Sequence, residues 1–448
     1  MSSSHRITAF VVFGLALGRT AAAQPLDAPA RPQTAAKDPF LDALVSEALE
    51  RNPDLLALRE AALAASARPE QVEALADPML TTTYTNDGWS PSLGSREMTT
   101  LGFMVSQELP FAGKRRLRAE LSTLDAVAIA PQVARSRRAL VAAVTRAYVG
   151  LVLSREQLTL AAEQERLWKQ IEGTARARYA VGQGAQPDVL RVQTEVTRVE
   201  QLRTLQQAEA SIRAAELNRL LDRPSASAVE TRERLELEPF DESLASILER
   251  LTLDSPELYA AALAGERAGL AVAVAQKEYK PDFSVQAGYM NRGGLEPMWL
   301  AGVGVKLPVH RKRLASGLAE AEAQARASAR LADSQRLQLR FRIEERMAQL
   351  AATEKLVGLY GKGIVPQDLL SVDAAVANYQ TGRVPFISVL EALTTLYNDR
   401  ATHLGLLADH ARTRASLDEA SLDETSSMAA VAGGMTRAPS SSTGSMGR

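Results

Sequence analysis

The chain has 448 residues, a formal net charge of −1, 5% aromatic residues and no cysteine. The near balance of charges leaves no polybasic surface for a nucleic acid, and the missing thiols exclude disulfides, thiolate metal sites, cysteine nucleophiles and a lipid-modified N-terminal cysteine. A composition rich in Ala, Leu, Arg, Glu and Gln is typical of long helices rather than of a bulky globular core.

Residues 1–23 are predicted to be a secretory signal peptide. A short basic start precedes an apolar run that ends at Leu17, and three alanines stand before Gln24. Residues 24–51 follow as an N-terminal periplasmic segment. No later run of about twenty apolar residues predicts a transmembrane helix. An exported chain of this kind either stays soluble or enters a membrane as strands.

The rest of the chain contains two copies of one plan. Four landmarks recur in the same order, about 198 to 203 residues apart: Asn52-Pro53-Asp54-Leu55 and Ser255-Pro256-Glu257-Leu258, Ala76-Asp77-Pro78 and Tyr279-Lys280-Pro281, Glu108-Leu109-Pro110 and Lys306-Leu307-Pro308, Tyr179-Ala180-Val181-Gly182 and Tyr379-Gln380-Thr381-Gly382. So long a period predicts duplicated halves. We expect a first repeat at 52–222, an equatorial connector at 223–254, a second repeat at 255–422 and a disordered tail at 423–448.

Each repeat is predicted to hold a helix, two strands, a long helix, a glycine turn and a returning helix. The expected strands and helical hairpins are 79–87, 98–108 and 114–222 in the first repeat, and 282–291, 298–307 and 312–420 in the second. Each repeat opens with a proline that suits a first helical turn, Pro53 or Pro256. The long helices would extend about 100 Å at 1.5 Å per residue. Pro131 and Pro366 should bend them or shift their ends.

The predicted strands alternate apolar residues with small or polar ones. Val303 and Val305 face one way, for example, while Gly302 and Gly304 face the other. Such alternation over about ten residues is typical of a transmembrane barrel strand, and a half-buried sheet in a soluble protein gives the same pattern. Four strands cannot close a barrel, and each unpaired backbone group in hydrocarbon costs several kcal/mol. Strands of this chain in a membrane would therefore require oligomerisation.

Three segments resemble the TolC family of outer-membrane efflux channels. They are Gln107–Arg116 (QELPFAGKRR), Arg178–Gly182 with Asp188-Val189, and Tyr379–Gly382 with Val389-Leu390. The first is similar to the strand-to-helix junction of the branch that works with heavy-metal cation pumps, and the other two are similar to the family's periplasmic hairpin tips. The resemblance covers nearly the whole mature chain. It implies a mixed, mainly α fold, in which a trimeric 12-stranded transmembrane β-barrel with four strands per chain continues into a long antiparallel coiled-coil periplasmic tunnel.

The resemblance also implies a function and partners. The chain would be the outer-membrane channel subunit of a tripartite efflux system in a Gram-negative bacterium, a passive exit duct extending into the periplasm. The expected partners are two further copies in a homotrimer, a periplasmic adaptor (membrane fusion) protein, an inner-membrane pump of the RND type and outer-membrane lipid. No cofactor and no nucleic acid is expected. The cargo would be a metal cation or a small organic molecule.

Three groups of functional residues are implied by the resemblance. The periplasmic gate would comprise Asp188, Tyr379, Arg383, Ser388 and Glu391. The adaptor-docking hairpin tips would comprise Tyr179, Val181, Gly182, Gly184, Gly382 and Pro385. The strand–helix junctions would comprise Pro110, Gly113, Lys114 and Pro308.

This chain departs from the family's gate at two positions. Ser388 stands where well-known members have an acid, and Val384 stands where they have an arginine, so the neighbouring Arg383 is expected to substitute. Three copies of Glu391 would form an acidic ring that favours cations. Alternatively, Glu391 and Asp188 are exposed carboxylates near positive helix starts.

The sequence does not predict an enzyme. It contains no recognisable Ser-His-Asp set, metal-ligand cluster, phosphate-binding loop or paired carboxylates in a pocket-forming context. The main alternative to a channel is a soluble periplasmic helical adaptor or scaffold protein with a small β-domain. Such a protein would have no need of alternating, lipid-facing strands.

Overall fold

A computed structural model describes residues 38–92 and 97–420 of the chain. The predicted signal peptide at 1–23, the first part of the segment at 24–51 and the predicted tail at 423–448 lie outside the described residues. Within the described ranges the chain is mainly helical and has one four-stranded sheet, which confirms the predicted mixed, mainly α class.

Helix α1 (Pro39–Arg51) precedes the first repeat. The first repeat contains α2 (Pro53–Ser66), α3 (Arg68–Glu73), β1 (Met79–Thr85), β2 (Thr100–Leu109), α4 (Lys114–Val127), α5 (Ile129–Ala180) and α6 (Gln186–Leu220). The connector contains α7 (Leu244–Leu253). The second repeat contains α8 (Pro256–Lys277), β3 (Asp282–Arg292), β4 (Leu295–Lys306), α9 (Arg311–Leu359), a π-helical turn (Tyr360–Ile364), α10 (Val365–Gln380) and α11 (Phe386–Glu419).

Two of these helices, α1 and α7, were not predicted from the sequence. Each is short, and each is capped by a side chain that accepts hydrogen bonds from its free backbone N–H groups. Asp38 Oδ1 accepts from the Phe40 backbone N–H at 3.1 Å, and Ser243 Oγ accepts from the Ser246 N–H at 3.2 Å. Both helices lie outside the two repeats, so the alignment of the repeats could not predict them, and local capping stabilises them.

The start of each repeat uses the same capping chemistry. Asn52 Oδ1 accepts from the Leu55 N–H at 3.1 Å, and Ser255 Oγ accepts from the Leu258 N–H at 3.2 Å. Asn52 is buried, and its amide nitrogen also donates to the Leu220 carbonyl oxygen at 3.1 Å. That bond joins the start of α2 to the end of α6, so two shorter helical segments follow one another beside α4 and α5.

The four strands form one antiparallel sheet in the order β1-β2-β3-β4. The central pair aligns Leu109 with Phe283 and Leu101 with Asn291. This pair joins the two repeats, because β2 belongs to the first and β3 to the second. Strands β1 and β4 are the two edges, and each has a paired neighbour on one side only within the described chain.

Both prolines in the long helices lie just after an interruption. Helix α4 ends before Ala128, and Pro131 lies in the first turn of α5. Pro366 lies in the first turn of α10, directly after the π-helical turn. Proline lacks the N–H that a continuous helix needs, and a first turn tolerates that loss. The interruption therefore falls on the N-terminal side of each proline.

The core runs along α5, which packs against α6 on one side and α11 on the other. One cluster surrounds Val144, Tyr148 and Leu151 and includes Leu217 of α6. A second cluster lies towards the hairpin tips and includes Trp168 and Val389. A third joins α7, α9 and α11. The apolar seams thus hold the two helical hairpins together along their length.

Candidate functional site

The outward face of the sheet is apolar and uncovered. Tyr289 and Trp299 are cross-strand neighbours on this face, with ring centroids 5.0 Å apart, and Trp299 is 80% exposed. The other large apolar residues that are exposed on this face are Leu80, Tyr84, Phe103, Val105, Phe283, Val285, Val303 and Val305. So large an exposed apolar surface marks contact with a partner or a membrane.

The opposite face of the sheet carries mostly small and polar side chains; the exceptions are Met79, Met104, Met290, Met298 and Leu300. Gln286 lies opposite Gly302, and Ser284 lies opposite Gly304. A Cβ atom at Gly302 would come within 2.8 Å of the Gln286 amide nitrogen, so the glycine makes room for that polar side chain. The sheet is therefore predominantly apolar on one side and predominantly small or polar on the other, which fits a wall between lipid and water.

The junction between β2 and α4 is built around the buried Lys114. Its ammonium nitrogen lies 2.9 Å from Asp282 Oδ1 and 3.7 Å from Glu278 Oε2, and it donates to the Lys280 carbonyl oxygen at 3.0 Å. Asp282 also accepts from the Phe111 backbone N–H at 2.9 Å. Lys114 thereby ties the first repeat to the segment that enters β3 of the second repeat.

The other junction residues shape the backbone around this cluster. Pro110 directly follows β2, and Gly113 has φ +88°, a left-handed conformation that glycine adopts without strain. At the second junction Pro308 lies in the short link between the end of β4 at Lys306 and the start of α9 at Arg311. The sequence identified Lys114 as a junction residue but not its partners Asp282 and Glu278, which lie more than 160 residues away.

The two hairpin tips have matching turn geometry. Gly182 has φ +74° and Gly382 has φ +73°. Their N–H groups donate to the carbonyl oxygens of Tyr179 and Tyr379, each at 3.0 Å, which closes the helix ends. Gly184 is also required, because a Cβ there would lie 3.0 Å from the Tyr179 backbone nitrogen.

Arg178 joins the first tip to the second. Its guanidinium donates to the Tyr379 carbonyl oxygen and, at 3.1 Å, to that of Gln183. It also stacks on the Tyr379 ring, 4.8 Å from the centroid, and Tyr379 packs edge-on against Phe386. An arginine in the last turn of a helix ordinarily complements the helix dipole, so the sequence offered no signal for this contact.

Tyr379 is the buried centre of the tips. Burial raises the pKa of its phenol above the usual value, the nearby Asp188 carboxylate raises it further, and Arg178 opposes the shift. Its hydroxyl has no hydrogen-bond partner within residues 38–92 and 97–420. Asp188 itself lies in the first turn of α6. Asp188 is therefore close enough to Tyr379 to influence its phenol, and the gate role of the two residues stays a prediction.

The remaining predicted gate residues do not join this cluster. Arg383 and Glu391 are exposed, and neither makes an ion pair within the described part of the chain. Ser388 is half-buried beside the buried Val389. At the ends of the tips Tyr179 and Val181 are 49% and 68% exposed, and Pro385 is also exposed. In the described chain Arg178, rather than Arg383, links the two tips.

One described helix, α8, is long and apolar enough to cross a membrane by length and composition, which the sequence prediction had not recognised. Only 6% of its apolar window is buried. Its packing differs from that of a membrane-spanning helix, because α8 lies along α9 and α4 and is followed closely by β3. Among the described residues, no group of three or more His, Asp or Glu side chains is arranged to hold a metal ion.

Residues 44–223 match the sequence pattern of a family described as outer membrane efflux protein. No curated protein sequence is significantly similar to the chain. The fold is similar to that of the outer-membrane channel OprN, with 19% identity, a TM-score of 0.73 and coverage of 86% of this chain and 90% of that one. It is similar to CusC, with 21% identity, a TM-score of 0.71 and coverage of 87% and 93%, and to VceC of Vibrio cholerae, with 20% identity, a TM-score of 0.71 and coverage of 86% and 96%.

Proposed function

We propose that this chain, an outer membrane efflux protein by its match over residues 44–223 and by its fold, is the passive exit duct of a tripartite efflux system. The family match covers two of the three segments that carry the resemblance, and it supports both the resemblance and the expected location in the outer membrane. Membership of the heavy-metal branch stays a prediction, since channels with different names match equally well.

The single observation that carries the proposal is the two-sided sheet. It has an exposed apolar face, a mostly small and polar face, and two edges that are unpaired within the described chain. Strand β2 leads through α4 to the 52-residue helix α5, and β4 leads to the 49-residue helix α9. In hydrocarbon those edges require partners. Three copies would supply twelve strands and close a ring around a polar lumen, with the helices continuing as a tunnel into the periplasm. The conduit itself performs no chemistry.

Insertion and conduction test this proposal together. The mature protein should extract from membranes only with detergent, migrate differently with and without heating, and form ion-conducting channels in planar lipid bilayers. A soluble periplasmic adaptor or scaffold would remain in the aqueous fraction and leave the bilayer sealed. That second outcome would overturn the proposal.

We assign the periplasmic gate to the tips. Arg178 and Tyr379 hold the two tips of one chain together, and Asp188 lies close enough to act on Tyr379. The exposed Arg383 and Glu391 and the half-buried Ser388 would face the pore or the neighbouring copies. Three Glu391 carboxylates at a narrow mouth would favour cations, which suits metal cations or cationic organic molecules as cargo.

Two single-channel experiments test the gate. Arg178→Gln should raise the open conductance, because the bond to the Tyr379 carbonyl is lost; Arg176→Gln, which removes only an exposed pair with Glu172 on the same helix, is the matched control. Glu391→Ala should lower the preference for cations, while Glu322→Ala, an exposed acid on α9 away from the tips, should not. Equal behaviour of a variant and its control would remove that residue from the gate.

The exposed ends of the tips are proposed to dock the adaptor. Tyr179 and Val181 expose apolar side chains there. The turns themselves are compact because they contain small or rigid residues: Gly182, Gly184, Gly382 and Pro385. An adaptor of helical hairpins delivered with an inner-membrane pump of the RND type would meet this surface. Val181→Asp should weaken co-purification of the adaptor without changing conductance in isolated bilayers, whereas unchanged co-purification would refute the assignment.

A further inference from the structure

The methionines of the sheet all lie on one face. Of the ten methionines in the chain, the strands contain four, one in each strand: Met79, Met104, Met290 and Met298. The strand register places all four on the mostly small and polar face. The paired residues of the apolar face, where methionine would suit contact with lipid, include none. Hydrophobicity alone therefore does not explain where the methionines are placed.

Three of these methionines form a cluster. Met290 and Met298 lie directly opposite each other on β3 and β4. Met104 on β2 is the diagonal neighbour of Met290, because Gly102 lies opposite Met290 and Gly288 lies opposite Met104. The Cβ atoms of directly opposite residues are about 5 Å apart, and diagonal neighbours lie within reach of long side chains. The three thioether groups can therefore meet at one point above the sheet.

Glycines leave the surface around the cluster open. On β2 and β3 the two methionines occupy one diagonal, and Gly102 and Gly288 occupy the other. The Met290 side chain lies against Gly102, where a Cβ atom would be 3.5 Å from the Met290 Cγ. Met298 is 49% exposed, and Met104 and Met290 are half-buried. The glycine positions carry no side chain that could cover the methionines from the polar side of the sheet.

The cluster offers sulfur ligands and no carboxylate or imidazole. The chain contains no cysteine, so methionine supplies its only sulfur. The other residues of the two cross-strand rows that contain the cluster are Thr81, Thr83, Gly102, Gly288 and Leu300. The charged residue nearest along β3, Arg292, lies beyond a register shift and donates to the Glu97 carbonyl oxygen at 2.9 Å. Thioether sulfur selects soft cations such as Cu(I), whereas Mg²⁺, Ca²⁺ and Mn²⁺ prefer oxygen ligands.

The position of the cluster suits the exit of a conduit. Strand β3 ends at Arg292 and β4 begins at Leu295, so Met290 and Met298 lie near the turn between these strands. That turn is at the opposite end of the sheet from the helices, whereas Met79, the first residue of β1, lies at the helix end. A cation that left the helical tunnel would reach the cluster late in its passage. Conduction requires binding weak enough for release, and neutral thioethers add no charge that would trap a cation.

We propose that Met104, Met290 and Met298 form a thioether site for a soft monovalent metal cation, Cu(I) or Ag(I), on the wall of the exit. The inference rests on the proposed function, because it requires the polar face of the sheet to line the lumen. It narrows the metal-cation cargo to the soft class. The flexible side chain and polarisable sulfur of methionine allow the three groups to converge on one ion.

Leucine substitution separates the role of the sulfur from that of apolar volume. Leucine and methionine have similar volumes and replace each other at little cost. Leu300 already occupies the same face, opposite Gly288. The triple variant Met104→Leu, Met290→Leu and Met298→Leu should therefore fold and conduct potassium as the wild type does. The matched control is Met347→Leu, which removes a thioether from α9, outside the sheet.

Block of single channels by silver measures the site. Channels in planar bilayers would be bathed in potassium nitrate, because chloride precipitates silver, and silver nitrate would be added to both chambers. We expect micromolar silver to block the wild type and Met347→Leu alike. The triple variant should need at least about tenfold more silver for half block, since the soft ligands are gone. Calcium nitrate, the hard-cation control, should affect the wild type and the triple variant equally.

A spectroscopic measurement detects the site without conduction. The methionine methyl groups of the full mature protein would be isotope-labelled and observed by nuclear magnetic resonance in detergent. Silver nitrate should shift the signals of Met104, Met290 and Met298, which are assigned by their loss in the single leucine variants. The signal of Met347 should stay in place. Unchanged signals for all three clustered methionines would overturn the site.

The failures can be told apart. Wild-type channels that conduct potassium but are blocked by silver no more readily than the triple variant overturn the thioether site and leave the channel function intact. A protein that leaves the bilayer sealed to potassium overturns the proposed function, and with it the assignment of this cluster to an exit.

Discussion

Lys114 offers a quantitative test of how the sheet is attached to the helices. Its side chain is only 2% exposed, whereas the carboxylates that pair with it, Asp282 and Glu278, are 31% and 37% exposed. Removing one partner of a fully buried ion pair costs about 3–5 kcal/mol, since the remaining charge has no compensation. Water reaches both carboxylates here and reduces that cost. We therefore expect Lys114→Met to lower the free energy of unfolding by about 2 kcal/mol.

A double-mutant cycle measures the pair itself. Methionine keeps most of the apolar stem of lysine, and Asp282→Asn keeps an oxygen that can accept from the Phe111 N–H. The unfolding of the wild type, both single variants and the double variant would be followed in urea by far-ultraviolet circular dichroism in detergent. We expect a coupling energy of about 1–2 kcal/mol between the two substitutions.

The matched control is Arg116→Met, because Arg116 forms only an exposed pair with Glu120 one turn away on the same helix. Exposed pairs of this kind contribute about 0–1 kcal/mol. If Lys114→Met cost no more than Arg116→Met, or if the cycle gave no coupling, the junction would not be held by the Lys114 ammonium and the reasoning would be refuted.

Three further changes have defined outcomes. Burial raises the pKa of the Asp399 carboxyl above 3.8, and a hydrogen bond with Asp368 and repulsion from its charge raise it further. The folded state therefore holds this proton more tightly than the unfolded state, and the protein loses stability as the pH rises through the raised pKa. Asp399→Asn should stabilise the protein at pH 7 in thermal melts and should give no gain below pH 3.8. Gly382→Ala should cost about 1 kcal/mol in the same melts, because φ is +73° there, and equal stability would contradict that. Val303→Arg on the exposed apolar face should cost about 2–4 kcal/mol for insertion into lipid vesicles, scored by heat-modifiable migration, whereas Gln286→Lys on the polar face should insert normally.

The duplicated architecture could be predicted from local sequence signals. Asn52-Pro53 and Ser255-Pro256 each combine a capping side chain with a proline in the first turn, and both helices start there in the structure. Gly182 and Gly382 likewise mark turns that need positive φ. Such signals depend on a few adjacent residues, so they can be read without knowledge of distant contacts. The alternation in the strands is equally local.

The partners of individual charged residues could not be predicted in the same way. Lys114 meets Asp282, and Arg178 meets Tyr379, across 168 and 201 positions of sequence respectively. The contact of Arg178 with the second tip could not be predicted for the same reason, and the predicted role of Arg383 in the gate stays a prediction. A guanidinium at a helix end looks the same in sequence whether it faces water or another helix.

The sequence by itself determined the repeat, the order of helices and strands and the two-sided character of the sheet, because each follows from capping, turn and alternation patterns within a few residues. Only the tertiary structure decided that β2 and β3 join the repeats, that Lys114 is buried between them and that Arg178 stacks on Tyr379. Those facts depend on which surfaces pack together. Packing depends on apolar contacts and ion pairs between residues that are far apart in the chain, and a local sequence pattern carries no information about such distant partners.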